Sequence, residues 1–526
     1  MAFTGLAKLI GQSNAKFIFL GAPEAEAEAL PNSKIPLSIV YKDHHNLFVA
    51  LGNEKFIVCG RKGAGKSAFA EYALSLAKND ANTFCKFIRQ GEVNLEKIVQ
   101  SGKDAGHSIE RENLYAWLIF TNVLKLFADN QALNDNHEFS LLSQFLKKNS
   151  GFIDIRESEI KELIKKDGFE VSVEYLRRFF TSKYQKNIEI KQAKAPFYKL
   201  IPHLKEVILR VLKSDIEVSN QNSYILFFDD LDISFNSGDA DSIEAITSLL
   251  RVSKEINNEF FAKNNLDSKV VILLRDDISR FVSTHSSDTA KIFSSYSVKI
   301  NWYQDEYHKS SPETNLNIRK FINTRIEHAL SSRGEKVDSF DPWIDLVEDP
   351  FRGSVSTDPP SKTSFKYILD HTFFRPRDLI LFFKPLENVV FKIPLDKHSV
   401  NHLIGRYCDE VINELKNELS CFYSSTEIHS IFNALGSISA LCKNSTFHSA
   451  EYAQAIVAVQ ENCKNIDAHE LLSDLFERSI IGNLSGNNYV FFKHREPTSD
   501  TYIFSMEKRI ILHNSIRVYC ASRGYS

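Results

Sequence analysis

Residues 60–67 read Gly-Arg-Lys-Gly-Ala-Gly-Lys-Ser, and the segments on either side decide what that octapeptide can be. Before it, Lys55-Phe56-Ile57-Val58-Cys59 is a short apolar run that stops at a glycine, the profile of a buried parallel strand. After it, Lys66 to about Lys78 is rich in helix formers, with apolar residues at helical spacing. A strand therefore feeds a glycine-rich turn, and the turn opens a helix. In that setting the glycines let the backbone curl so that its N–H groups face an anion held at the positive end of the helix. The residues in line for phosphate contact are Gly60, Lys62, Gly63, Ala64, Gly65, Lys66, Ser67 and Ala68. Lys66 is placed to reach the β- and γ-phosphates and the Ser67 hydroxyl to bind Mg²⁺. The G-x-x-x-x-G-K-S pattern alone arises by chance; the strand before it and the helix after it give it weight.

Two further strands of the buried type follow, Tyr224–Phe228 and Lys269–Leu274, with another expected at Val298–Trp302. The first ends in Asp229-Asp230. A hydrophobic strand with a carboxylate at its C-terminal end is a means of bringing Asp beside a loop-bound Mg²⁺. Asp229 is assigned to the metal, directly or through water, and Asp230 to polarising an attacking water, with Asp232 the weaker choice. Without the loop, these would pass as ordinary strand-end residues. The second strand ends in Arg275-Asp276-Asp277, which puts a cation where a γ-phosphate would lie; the bland alternative is an Arg paired with Asp276 or Asp277 on the rim. A later segment, Phe374-Arg375-Pro376-Arg377-Asp378-Leu379, has proline in the first turn of a helix and offers Arg377, or Arg375, to reach over the nucleotide.

These elements predict an α/β fold, a doubly wound parallel sheet of P-loop NTPase (ASCE) type. Asp241 and Glu244 form a capping-box signature for a helix carrying Ile246, Leu249 and Leu250. The stretch 110–215 is too long for one crossover and reads as a helical insertion: Tyr115–Phe127, Leu141–Leu146, Glu159–Lys165, Val173–Phe180 and Leu204–Leu212. The expected domains are a lead-in at 1–53, a core at 54–310, a helical lid at 311–435 and a winged-helix-like end at 436–526. The last rests on helices at Ser449–Cys463 and Ala468–Ile481 followed by a hairpin of Tyr489–Lys493 and Thr501–Ser505.

Charge is segregated. The chain carries 64 Lys+Arg against 67 Asp+Glu, a net of -3, which excludes a surface wholly adapted to nucleic acid or anionic lipid. Residues 161–214, however, hold 13 Lys+Arg and 6 Asp+Glu, a net of +7, and residues 491–526 a net of +3. Both are compatible with contact to the backbone of double-stranded DNA through 161–214 and 487–526, though the first is also what a solvated helical face carries and the second does not demand such a contact. Seven scattered cysteines with no C-x-x-C suit reduced thiols, and no apolar run approaches the ~18 residues of a membrane span, so the expectation is a cytoplasmic protein without membrane contact. His398 and His402 are four apart but lack the Glu of a metal-binding helix motif, so a surface or core pair is the better reading.

The order GRKGAGKS, LFFDDLD, VVILLRDD, FRPRDL resembles the STAND and AAA+-related P-loop ATPases, and the combination RKGAGKS, DDLD and LLRDDI is similar to KAP-like bacterial ATPases of anti-phage defence loci. The resemblance implies ATP and Mg²⁺ as cofactors and Arg275 as a sensor arginine. It also implies a nucleotide-controlled switch acting on a protein effector or through homo-oligomer assembly. The chain departs from that pattern in the long separation of Lys66 from Asp229 and in having no clear arginine finger, with Arg251 and Arg280 both open for that role. The rival reading is a DNA-binding ATPase of initiator or loader type.

Overall fold

The computed structural model describes residues 17–89, 99, 110–130, 137–150, 170–216, 222–233, 235–308, 312–338, 340–351, 363–443, 445, 448–486, 489–496 and 502–524. The chain divides into two compact units. One comprises Asn46–Gly60 and Phe69–Lys299; the other comprises Met1–His45, Arg61–Ala68 and Ile300–Ser526. The phosphate loop thus belongs with the chain's two ends, while the sheet strands belong to the middle.

In the sheet unit the strands are β1 (Ile57–Gly60), β2 (Thr83–Arg89), β3 (Glu170–Ser172), β4 (Lys194–Pro196), β5 (Ser223–Asp229), β6 (Ser268–Arg275) and β7 (Ser297–Ile300). Five of them form one sheet in the order β2-β5-β6-β1-β7. The pairs β2–β5, β5–β6 and β6–β1 are parallel. The loop strand β1 and the Asp strand β5 are therefore separated by β6, as the expected class requires. Both β1 and β6 are buried almost throughout, which explains their unbroken apolar sequences. Strand β2 has no such run: Thr-Phe-Cys-Lys-Phe-Ile-Arg is half-buried at the sheet edge, and its sequence gives no strand expectation.

The helix after β5 spans Ala240–Lys254, and its cap is Asp239, whose side chain accepts from the Asp241 N–H. This moves the start upstream of the capping box expected at Asp241. The helix runs into a π-helical turn, Glu255–Phe261, where the Asn257 side chain donates to Val270 O at 2.8 Å and accepts from Val270 N at 2.9 Å. That reciprocal pair fixes the helix end to β6.

The insertion is helical as expected, with Arg111–Asp129, His137–Lys148, Glu174–Tyr184 and Ile201–Ile216. The expected helix Glu159–Lys165 lies outside the described residues. The antiparallel pair β3–β4 was not anticipated, because three residues a side are too few to show a period. Trp117, fully buried, meets Phe145 and Phe197 edge-on at the subdomain's centre.

In the other unit the helices are Asn317–Ser331, Ser364–Leu369, Pro376–Phe383, Lys397–Leu419 and Ser425–Lys443, and the first of them packs with the N-terminal segment. A C-terminal module follows: β8 (Ser449–Ala450), helices Tyr452–Asn462 and Ala468–Glu477, β9 (Ile481–Leu484), β10 (Val490–Phe491), β11 (Arg509–Leu512) and helix Asn514–Ser522. Its antiparallel sheet has the order β10-β9-β11-β8. The expected hairpin is corrected in register. Residues 502–505 are not a strand, Ile503 is exposed, and the strand that pairs with β9 is Arg509–Leu512. Among the described residues no helix is long and apolar enough to cross a membrane.

The N-terminal segment is built into this unit by charge. Arg325 makes a two-pronged pair with Glu28, at 2.6 and 2.7 Å, and both side chains are buried. Gly21, at φ +131, passes so close that a Cβ there would stand 2.1 Å from Arg325 Nη1. Removing one partner of such a pair strands a charge in the interior. Glu28→Ala is accordingly expected to lower the unfolding free energy by about 3–5 kcal/mol. Urea denaturation checks it, and a loss below about 1 kcal/mol, typical of a surface pair, would contradict it.

Candidate functional site

The loop is shaped from its own unit. Gly63 and Gly65 take left-handed conformations, φ +78 and +101, which residues with a Cβ rarely adopt. At Gly63 there is a second reason for glycine: a Cβ would lie 2.9 Å from Arg377 Cβ. The carbonyls of four successive residues each accept a hydrogen bond. Arg61 O accepts from Ala64 N (3.1 Å) and Lys66 Nζ (3.2 Å), and Lys62 O accepts from Arg375 Nη1 (3.1 Å). Gly63 O accepts from Arg377 N (3.4 Å), and Ala64 O from the Trp302 indole N–H (2.8 Å). With its carbonyls engaged by protein donors, the loop's remaining polar character is that of its N–H groups, which suits an anion.

The two arginines of the Phe374–Leu379 segment do different things. Arg375 is buried, and its guanidinium donates to both Asp378 oxygens and to Glu418 Oε1 at 2.9 Å, besides Lys62 O. Burial works against its charge, but Asp378, Glu418 and Glu414 outweigh this and hold it charged more firmly than an ordinary arginine. Arg377 lies over Gly63, donates from Nε to Pro23 O at 2.9 Å, and has Glu414 Oε1 3.5 Å from Nη1. Pro376 occupies the first turn of the helix Pro376–Phe383, as expected.

Sequence reasoning had no sign of Trp302, Glu414 or Glu418 as loop supports. Trp302 is 238 positions from Ala64, and no local pattern encodes such a contact. His45 meets the Trp302 ring edge-on at 4.7 Å, and burial pushes its pKa down to about 4, so it is neutral at pH 7.

In the sheet unit the C-terminal ends of the parallel strands carry the charges. Register places Arg89 opposite Asp229, and Gly60 opposite Arg275. Asp229 is buried, and its Oδ1 accepts from Asp230 N at 2.9 Å. Asp230 has φ 59, a left-handed residue at the strand end. Arg89 pairs with Glu71 at 2.6 Å and has Asp230 Oδ2 3.8 Å from its Nε. It was missed because β2 was missed. Arg275, 5% exposed, donates to Asp232 Oδ2 (2.9 Å) and to both Asp277 oxygens (3.1 and 2.6 Å).

The remaining candidates are placed as follows. Arg251 sits among Glu244 (3.4 Å), Asp288 (3.1 Å) and Glu112 (4.0 Å). Arg280, on the helix Asp276–His285, is half-buried. His398 and His402 are exposed on the helix Lys397–Leu419. The basic residues of the C-terminal stretch have partners inside their own unit, among them Lys493 with Glu496, Arg495 with Asp370, Arg509 with Glu451 and Arg523 with Asp409.

No family model and no curated protein matches the chain. Among solved structures it is similar to the Aeropyrum pernix ORC2 protein with ADPNP and ADP, at 11% identity over 98% of each chain and a TM-score of 0.30. The ADP form of that protein gives 9% identity over 95% of this chain and 98% of the other, with a TM-score of 0.32. Cdc6p from Pyrobaculum aerophilum gives 11% identity over 95% and 99%, with a TM-score of 0.27. At such scores no residue role transfers. The chain's own sheet order and its strand–loop–helix unit make it an α/β P-loop NTPase core with helical regions.

Beneath the loop, His494 and His513 are buried with ring centroids 5.2 Å apart, and His513 stacks on Phe373 at 4.2 Å. Burial first, and then the positive charge of Arg495, hold both well below the ordinary imidazole pKa. The folded state keeps them neutral, whereas the unfolded chain takes up protons below about pH 6.5. Their stabilising contribution is therefore complete above that pH and is lost as pH falls towards the depressed values, by up to about 2.7 kcal/mol per pH unit for the pair. The urea midpoint is expected to drop between pH 7 and pH 5.5. His513→Asn keeps an acceptor for the Ser515 N–H and should make that drop shallower; an unchanged drop would show that other groups carry it.

Proposed function

We propose that the protein binds ATP with Mg²⁺, hydrolyses it slowly or on a trigger, and uses the nucleotide state as a switch over assembly or an effector partner. The observation that carries this is the loop at 61–64, whose four carbonyls are each held by a protein donor. The phosphate-binding set is Gly60, Lys62, Gly63, Ala64, Gly65, Lys66, Ser67 and Ala68, with Arg377 from the helical region as the residue that reports on it. Ser67 and Asp229 offer the hard oxygen donors that Mg²⁺ prefers. Lys66 and Arg275 are assigned to stabilising phosphoryl charge and Asp230 to orienting water. ATP as the nucleotide, and defence as the setting, rest on the resemblance to KAP-like and STAND ATPases.

A second reading, a DNA-binding ATPase of initiator or loader type, is favoured by one observation. Lys183, Lys191, Lys194 and Lys199 are all exposed on the insertion. DNA contact through them would show a steep loss of affinity with salt.

Lys66→Ala should weaken nucleotide binding and abolish turnover. Asp230→Asn keeps a residue that tolerates the left-handed backbone, and should bind ATP normally while hydrolysing it about 10²–10⁴-fold more slowly. Normal turnover by Asp230→Asn would remove the water-orienting role. The deciding measurement is ATP turnover with and without double-stranded DNA at matched salt, with Lys66→Ala as the blank. Strong stimulation selects the DNA reading; slow turnover indifferent to DNA selects the effector switch. Absence of nucleotide binding overturns both.

A further inference from the structure

The loop position that the phosphate pattern leaves unassigned is Arg61, an x of G-x-x-x-x-G-K-S. Its guanidinium donates from Nη2 to the Arg478 carbonyl at 2.6 Å and from Nη1 to Ser479 Oγ at 3.2 Å. It lies 5.5 Å from the centroid of the Phe373 ring. Residues 478 and 479 are the turn by which the helix Ala468–Glu477 passes into β9 of the C-terminal module.

That turn is tightly determined. Ser479 is fully buried and takes φ +63, a conformation unusual for serine. Its N–H donates to Phe476 O at 2.7 Å, and its Oγ accepts from the His494 N–H at 2.7 Å as well as from Arg61. Arg478 in turn pairs with Asp474 at 2.9 Å and stacks over Phe422 at 4.3 Å. The Ser479 hydroxyl is thus one atom on which the loop and the module both depend. At its other end, Arg61 accepts the Lys66 ammonium at its main-chain oxygen, 3.2 Å away. One residue therefore touches the phosphate lysine through its backbone and the module through its side chain.

We propose that Arg61 is a positioning residue that couples nucleotide at the loop to the seating of the C-terminal module, which the loop holds through the module's 478–479 turn. The proposal rests on the nucleotide-binding reading above and names its regulation. When Lys66 turns to a phosphate it leaves Arg61 O, and the loop's hold on Arg478 and Ser479 changes with it. Linkage makes the effect reciprocal: a module held on Arg61 sets the loop's affinity, and nucleotide sets the module's exposure.

The test uses the full chain, Mg²⁺–ADP as the probe, and amide hydrogen exchange of residues 478–484 as the readout beside the dissociation constant. In the wild type, ADP is expected to change exchange in 478–484. Arg61→Ala should alter the dissociation constant by at least about fivefold and lose the exchange response, while Arg61→Lys, with a single donor head, recovers part of it. Ser479→Gly tolerates the left-handed backbone and removes the side chain with its shared hydroxyl, so it carries the same test if Arg61→Ala fails to fold. It should bind ADP and show a reduced response. A wild type that binds ADP without altering 478–484, or variants that respond as the wild type does, would overturn the coupling alone. A wild type that binds no ADP would overturn the nucleotide-binding reading along with it.

Discussion

A carbonyl shielded from water without a donor costs about as much as a lost hydrogen bond, and the chain supplies donors four times in succession, at the half-buried residues 61–63 and the buried Ala64. No regular element can supply those donors, because the loop curls through two left-handed glycines and leaves both ladder and helix geometry. For three of the four they come from far along the chain, from Trp302, Arg375 and the Arg377 amide, while Arg61 O is served from within the loop by Ala64 N and Lys66 Nζ. The shape of the phosphate loop is therefore a property of a whole unit. Gly63 shows how tightly the two are matched, since the close approach of Arg377 and the left-handed backbone each demand glycine there.

Supplying one of those donors from a buried guanidinium has consequences of its own. Arg375 must be compensated, and Asp378, Glu418 and Glu414 gather around it, drawing the helix Lys397–Leu419 into the loop's support. Such a cluster adds little net stability over an apolar core, because desolvation offsets the attraction. Its value is directional. An apolar contact in the same place would not know where Lys62 O is. The Glu28–Arg325 pair plays the same part for the N-terminal segment, whose Pro23 carbonyl is the acceptor for Arg377.

What the sequence made legible were the elements whose signal is local and continuous. The strand before the loop, the Asp strand and the Arg strand are buried on both faces and read as unbroken apolar runs, and the octapeptide set between strand and helix identified itself. Strand β2 was not legible, since Lys86 and the half-exposed Thr83, Phe84 and Cys85 look like any edge segment; with it went Arg89. In the C-terminal module the strand expected at Tyr489–Lys493 is present at Val490–Phe491, but its expected partner at 501–505 failed for a different reason. Ile503 supplies an apolar residue at strand spacing yet is exposed, while Ile481-Gly-Asn-Leu, a true strand, follows a helix so closely that its first residue extended the helical pattern. The cap at Asp239 rather than Asp241 is the ordinary ambiguity of two carboxylates a residue apart. Arg61 and Trp302 carried no signal at all, because their roles exist only in three dimensions.

The sheet unit's charges bear on the difference between a binding site and an enzyme. Arg275 is held by three hydrogen bonds to Asp232 and Asp277, and Arg89 by Glu71 with Asp230 close by. A guanidinium committed in this way is unavailable to a phosphoryl group until it gives up a carboxylate, and a buried guanidinium such as Arg275 does not lose its partner cheaply. Catalytic electrostatics depend on donors already aimed at the developing charge. The proposed role of Arg275 in phosphoryl transfer therefore requires the guanidinium to give up Asp232 or Asp277 first. Slow turnover that waits on such a rearrangement is what the proposed switch would show, and a steadily turning motor would not.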